Sequence, residues 1–256
     1  MFTGIDHVAI VVNELESAVA SYSRAGFTVV RGGKHPIGTH NALVAFADGS
    51  YFELIAFLMP QTGHPWQLAL AKGSGIVDFC MCTDNLAADI DAMRRAGAKI
   101  GDPSPLTRDR PDGYRLSWVL AIPAPPFNGW LPFLIKDDTP RDERVPRERS
   151  HRNGATGIRT LALAVDDPGI TSRSYARVLG RPGAPVDRAD LEGAGVSFTI
   201  GPNEVQMLAS KTENGPLAGW IRDHGQSPFE VVLSHESTGA ATLDTALLQG
   251  ARIRFQ

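Results

Sequence analysis

One unit recurs four times along this chain: an apolar strand, an acidic or amide residue that can start a helix, an amphipathic segment, and a glycine that stops it. From His7 an offset of six reaches Asn13, followed by Leu15 to Ala25 and Gly26. From Asp78 the same offset reaches Asp84, then Leu86 to Ala96 and Gly97. From Thr160 it reaches Asp166, then Ile170 to Leu179 and Gly180; from Glu230 it reaches Glu236, then Ala241 to Gln249 and Gly250. Such a period marks a supersecondary module used repeatedly, and a module of this size buries its sheet face only by pairing with a neighbour.

Within the first module, alternation predicts a strand over Ile5 to Val12 with Asp6, Val8 and Ile10 on one face and His7, Ala9 and Val11 on the other. Phe27 to Val30 reads as a second strand. The glycine-rich, polar run from Gly32 to Asn41 reads as a loop, and Asp48-Gly49 as the turn of a hairpin joining Ala42–Ala47 to Ser50–Phe57. Pro65 to Lys72 is a short connecting helix. In the second module Gly75–Cys82, Tyr114–Ala121 and Trp130–Ile135 read as strands, with Pro123-Ala124-Pro125-Pro126 between the last two. By register Asp78 and Thr160 take the place of His7, while Phe133 and Gln206 take the place of Glu53. The composition turns to charge and proline from Asp137 to Arg152, which predicts a solvated linker. The expected organisation is a first domain of two modules over 1–138, a charged linker over 139–156, and a second half over 157–256. That half holds one full module and one truncated module, with a last strand at Arg252 to Phe255.

With 25 Lys and Arg against 28 Asp and Glu, the net charge is −3 and there is no basic block to match a phosphate backbone. Nucleic acid is therefore not the expected partner; a small molecule is. No basic segment precedes an apolar stretch at the N-terminus and no apolar run approaches the length that spans a bilayer, so a cytoplasmic, non-membrane protein is expected. The only cysteines, Cys80 and Cys82, lie two apart on one strand face and read as free thiols.

His7 and Glu53 are the polar exceptions inside two apolar strands. An imidazole and a carboxylate on neighbouring strands form half of a metal site suited to Zn, Mn, Ni or Fe. The bland alternatives are a core histidine bonded to a carbonyl, and a Glu53 paired with Arg31 or Lys34. Asp78 is either a third ligand or a hydrogen-bonding group beside a helix. His35 is either a ligand, a general acid/base or simple loop polarity, and the last reading also covers His40 and His64. Asn41, Trp118 and Phe133 are candidates for a pocket wall, although Trp118 and Phe133 read equally as core.

The paired β-α-β-β-β module, with His on its first strand and Glu on its fourth, resembles the vicinal oxygen chelate superfamily. Gly38-Thr39-His40-Asn41-Ala42-Leu43, Tyr51-Phe52-Glu53-Leu54-Ile55 and Leu131-Pro132-Phe133-Leu134-Ile135 are similar to the bacterial glyoxalase-like domain proteins, most closely over 4–137. The resemblance implies an α+β fold of repeated modules forming half-open β-barrels with helices outside. It also implies a divalent metal on His7 and Glu53, with Asp78 or His35 completing the shell or moving a proton. The expected function is that of a metal-dependent lyase or isomerase acting on a small oxygenated metabolite. The rival is a non-catalytic binding or sequestration protein; an extradiol-type dioxygenase is disfavoured because one of its two histidines is not matched. Phe133 stands where glyoxalase I would present a Glu, and the second half keeps no full ligand set. A homodimer is compatible with this reading, but four modules suffice for pairing within one chain.

Overall fold

A computed structural model describes residues 1–125, 129–235 and 241–256. The first half runs β1 (Phe2–Val11), α1 (Leu15–Arg24), β2 (Val30–His35), β3 (Thr39–Ala45), β4 (Tyr51–Phe57), α2 (Pro65–Leu70) and β5 (Gly75–Thr83). It continues through α3 (Leu86–Arg95), β6 (Ser104–Asp109), β7 (Arg115–Ala121), β8 (Phe133–Asp137) and α4 (Arg141–Arg144). Its strands form a closed barrel in the order β1-β4-β3-β2-β6-β7-β8-β5. The second half runs β9 (Ala155–Ala164), α5 (Pro168–Leu179), β10 (Ala184–Arg188), β11 (Gly193–Ile200) and β12 (Asn203–Ser210). After α6 (Pro216–His224) come β13 (Ser227–His235), β14 (Ala241–Thr242) and β15 (Ile253–Phe255). Its seven strands form a sheet ordered β10-β11-β12-β9-β13-β15-β14. No helix among the described residues is long and apolar enough to cross a membrane.

The repeat is real at the level of hydrogen bonding. Ala9 pairs with Asp78 and His7 with Cys80 across the antiparallel β1–β5 ladder, as two copies related by a twofold must do. Ala9 lies beside Glu53, Cys80 beside Phe133, and Ala162 beside both Gln206 and Glu230. Asp78, Thr160 and Glu230 thus occupy the His7 place, and Phe133 and Gln206 the Glu53 place. Helix starts follow the repeat with a shift of one residue. The caps are Glu14, Asn85 and Asp167, each accepting from backbone N–H groups of the first turn. Gly26, Gly97 and Gly180 terminate the helices at positive φ.

Several expectations are corrected. The Gly32–Asn41 run is not a loop but most of β2 and the start of β3, joined by a tight turn, and no strand forms over Phe27 to Val29. Its glycines serve close approach. A Cβ on Gly33 would collide with the Asp109 carbonyl where Lys34 pairs with Asp109, the single bridge that closes the barrel between β2 and β6. The first half is therefore closed rather than half-open, with a seam one residue pair wide. β6 and β10 were not foreseen. Ala241 to Gln249 is not a helix: β14 begins it, and the Asp244 side chain accepts from the Ala246 N–H at 2.9 Å, a local bond that competes with helix. Glu236 and Pro126 lie outside the described residues.

The charge run after Asp137 is not a solvated linker at its start. It forms α4, and Arg144 is only 2% exposed. Asp6 also departs from its expected face. β1 carries an irregularity between Ile5 and His7, so Asp6 is the extra residue and turns to meet Arg144.

Val8, Ile10, Phe52, Leu54, Phe79 and Met81 of the barrel share one core with α1, α3 and α5 and with Leu161, Leu163, Phe198 and Val231 of the second sheet. The opposite barrel face, bearing His7 and Glu53, is left to enclose a cavity. Both cysteines are free.

Candidate functional site

The cavity inside the barrel has a volume of about 370 Å³. His7, His35, Glu53 and Asp78 reach it, and Trp66, Leu106, Leu120, Trp118 and Phe133 are among the residues of its apolar wall. Pockets of this size with few convergent polar groups are the usual form of small-ligand sites.

Three ligand-type side chains converge at its floor. His7 Nε2 stands 3.5 Å from Glu53 Oε2, and His35 Nε2 stands 4.0 Å from Glu53 Oε1. The outer nitrogens are occupied: His7 Nδ1 meets Asp6 Oδ1 at 2.7 Å, and His35 Nδ1 meets Thr39 Oγ1 at 2.9 Å. Burial pushes Asp6 up, yet Arg144, His7 and Arg141 outweigh it and hold the carboxyl well below the usual range. Asp6 is therefore an acceptor, which makes His7 Nδ1 the donor and turns Nε2 toward Glu53 and the cavity. Burial pushes His35 down to about 4, so it is neutral near pH 7. Glu53 is raised by burial but brought below its ordinary value by His7, His35 and the Asn41 amide. Two imidazole nitrogens, each within 4.0 Å of one carboxylate on the same cavity, are a donor set suited to a divalent cation, and carboxylate-oriented imidazoles are the usual support for one.

Of the ionic alternatives for Glu53, Arg31 is removed, since it pairs with Glu16 instead. Asn41, expected in the pocket wall, stands behind Glu53: it is 1% exposed and donates Nδ2 to Oε1 at 2.7 Å. Trp118 and Phe133 do line the cavity, and each packs edge-on to an imidazole. Phe133 lies 5.2 Å from His7 at 70°, and Trp118 lies 6.0 Å from His35 at 88°. Tyr51 stacks on the other face of His7 at 4.6 Å. Asp78 accepts from Trp66 Nε1 at 3.2 Å and from the Phe79 N–H at 2.9 Å. Burial nevertheless pushes its carboxyl up to about 7. His64 caps α2 at the cavity edge.

A second cluster, Asp6, His7 and Cys80, also brings ligand atoms together. It fits a cation poorly. Both Asp6 oxygens already take Arg144 at 3.0 Å, Arg141 joins one of them, and burial pushes the Cys80 thiol well above its usual value.

Sequence reasoning missed Arg108 on β6 and the Asp6–Arg144 pair. Arg108 shares a face with Leu106 in a short strand that includes Pro105, a faint period-2 signal. Asp6 and Arg144 carried no signal, because their pairing depends on a bulge and on the chain's return after β8.

In the second half the His7 place holds Thr160 and Glu230. There Arg188 donates to Glu230 Oε1 at 2.7 Å and to Gln206 Oε1 at 3.1 Å, and Arg254 donates to Glu230 at 3.0 Å. These bonds use the polar groups that a ligand would need.

The glyoxalase-like domain family model matches residues 5–179. No curated protein sequence gives a significant match. Among solved structures, a hypothetical protein from Staphylococcus aureus superposes with a TM-score of 0.71 at 15% identity, covering 98% of each chain. A mutant of 4-hydroxymandelate synthase from Streptomyces coelicolor gives 0.59 at 13% identity, over 93% of this chain and 72% of the other. A fusion protein of a xylose isomerase-like TIM barrel and 4-hydroxyphenylpyruvate dioxygenase gives 0.55 at 13% identity, over 93% and 37%. At these identities the likeness is one of fold.

Proposed function

The chain belongs to the glyoxalase-like domain family with the vicinal oxygen chelate fold, and from that premise we propose a metal-dependent lyase or isomerase acting on a small oxygenated metabolite. The observation that carries this reading is the convergence of His7 Nε2, His35 Nε2 and the Glu53 carboxylate on one apolar-walled cavity. Those three would hold a divalent ion, Zn, Mn, Ni or Fe, and such an ion polarises the oxygens of a bound substrate. The chain's own groups supply the rest. Asp78, buried and with its carboxyl near neutrality, takes a proton from the substrate on a remaining lone pair of a carboxyl oxygen and returns it. Trp66 Nε1 fixes that carboxyl, and Trp118 and Phe133 exclude water and confine the substrate's apolar part.

A second reading, a metal-dependent oxygenase, is favoured by one feature: two imidazoles and one carboxylate form the donor set of mononuclear iron oxygenases. The fold neighbours named as a synthase and a dioxygenase support it as analogy only.

The test is metal content by mass spectrometry, on protein prepared without chelator or tag nickel, for wild type, a His7→Ala/Glu53→Ala variant and His35→Ala. Near-stoichiometric metal in the wild type, absent from the double variant and reduced about tenfold or more in His35→Ala, is expected. Iron would select the oxygenase. Metal-free wild type in the presence of added Zn, Mn, Ni and Fe would overturn both and leave a small-molecule binding protein.

A further inference from the structure

Three arginines are buried among the described residues, and two of them are fully matched by acids. Arg144 meets Asp6 and Asp137; Arg188 meets Asp190 and Glu230. Arg108 meets none. It is 3% exposed, its Nη2 donates to the Arg144 carbonyl at 2.9 Å, and its Nε has no acceptor at all. Its guanidinium carbon lies 6.0 Å from the Trp118 ring, and its side chain lines the same cavity as His7, His35 and Glu53. A buried, incompletely bonded cation is destabilising unless a counter-charge arrives.

The surrounding charges do not supply one. Glu53 is the carboxylate nearest in electrostatic effect, but no ion pair joins the two, and Glu53 is already engaged by Asn41, His7 and His35. Arg144 adds a second positive charge behind Arg108, although its own acids neutralise it. Leu106 lies two residues from Arg108 on the same strand and pairs with Trp118, and Leu120 and Ile122 continue the apolar lining toward the Ser104 end. Among the described residues the cavity thus offers one cation not paired with an acid, in a largely apolar wall.

We infer that Arg108 is the anchor for a substrate carboxylate, and that the ligand of this cavity is a monocarboxylate with an apolar, ring-sized body. A carboxylate presents two acceptor oxygens at the spacing of a guanidinium edge, a match that a neutral carbonyl or an ether lacks. Held there, the acid end fixes the ligand's direction, so that its remaining oxygens face His7, His35 and Glu53 and its apolar part lies against Trp118 and Phe133. Arg108 is in these terms a specificity-determining group. The inference rests on reading this cavity as the ligand site, and its test is independent of whether a metal is held there.

The experiment compares phenylacetate with phenylacetamide, which share a shape and differ in charge, by calorimetric titration of the full chain before and after chelator treatment. Wild type is expected to bind the acid about tenfold or more tightly than the amide in both states, and Arg108→Gln is expected to bring the two within about twofold. Arg108→Lys retains part of the preference. Where Arg108→Gln does not fold, the decision passes to the side-chain Nε–H resonance of Arg108 in the wild type, assigned by its loss in Arg108→Lys. That resonance should move with phenylacetate and stay still with phenylacetamide. Equal binding of acid and amide by the wild type, an intact preference in Arg108→Gln, or an unmoved resonance would overturn the inference. An acid preference that disappears on chelation yet survives in Arg108→Gln would overturn it while leaving the metal reading standing.

Discussion

At the scale of single residues, the site is defined by side chains whose protonation is set by burial. Asp78 is the clearest case: with its folded carboxyl near 7 against an ordinary 3.8, the native state keeps a proton that the unfolded chain releases. The unfolded state is therefore favoured progressively as pH rises from about 4 to about 7, and the penalty is constant above that. Asp78→Asn removes the titration. Its stability relative to wild type should rise by roughly 2–4 kcal/mol between pH 4 and 8, measured by urea unfolding at a series of pH values. A flat difference would show that Asp78 is ionised in the folded protein. His35 acts with the opposite sign: its depressed value costs stability as pH falls from about 6.5 toward 4, but that contribution is common to both proteins and cancels in the comparison. His7 and Glu53 were legible in the sequence because each is a lone polar residue in an apolar strand. His35 is only one of several options in the sequence, since the glycine-rich run that holds it reads as a loop.

At the scale of elements, α4 shows how a charged stretch can be structural. Arg144 donates to Asp6 at 3.0 Å, to Asp137 at 2.5 and 2.9 Å and to the Tyr51 hydroxyl at 2.5 Å, and Tyr51 in turn stacks on His7. The helix therefore clamps β1, β4 and β8 from outside and steadies one imidazole of the site. Removing one member of a buried pair strands the other charges, at a cost of about 3–5 kcal/mol. Arg144→Met is expected to lose stability in that range in urea denaturation and also to weaken metal retention, because the Asp6 carboxylate that orients His7 loses its principal partner. An Arg144→Met protein as stable as the wild type would mean that the pair contributes nothing beyond a hydrophobic replacement. Such a pairing is invisible in composition: a run of Arg, Asp and Glu looks alike whether solvated or buried.

At the scale of the whole molecule, the two halves share one core and are joined by several hydrogen bonds. Asn203, 2% exposed, accepts from the Ile5 N–H at 2.7 Å and donates to the Ile158 carbonyl, linking β1 to β9 through β12. Tyr22 on α1 donates to the Leu248 carbonyl at 3.1 Å, and Tyr175 on α5 donates to the Trp130 carbonyl at 2.7 Å. The halves should therefore unfold together. Scanning calorimetry is expected to show a single transition, and Asn203→Ala should shift that transition down as a unit, by about 2 kcal/mol of stability, without splitting it. Two resolved transitions would mean that the barrel and the seven-stranded sheet are separate cooperative units.

Sequence alone determined the module and its register. Strand alternation, helix caps and glycine stops are local, so the equivalence of His7 with Asp78, Thr160 and Glu230, and of Glu53 with Phe133 and Gln206, followed from spacing. The tertiary structure decided the closure of the barrel across Gly33, the turning of Asp6 toward Arg144, the meeting of His35 with Glu53, and the placing of Arg108 on the same cavity. Those outcomes depend on which strand edges join and on where a buried charge finds its partner, both of which are fixed by contacts between residues far apart in the chain.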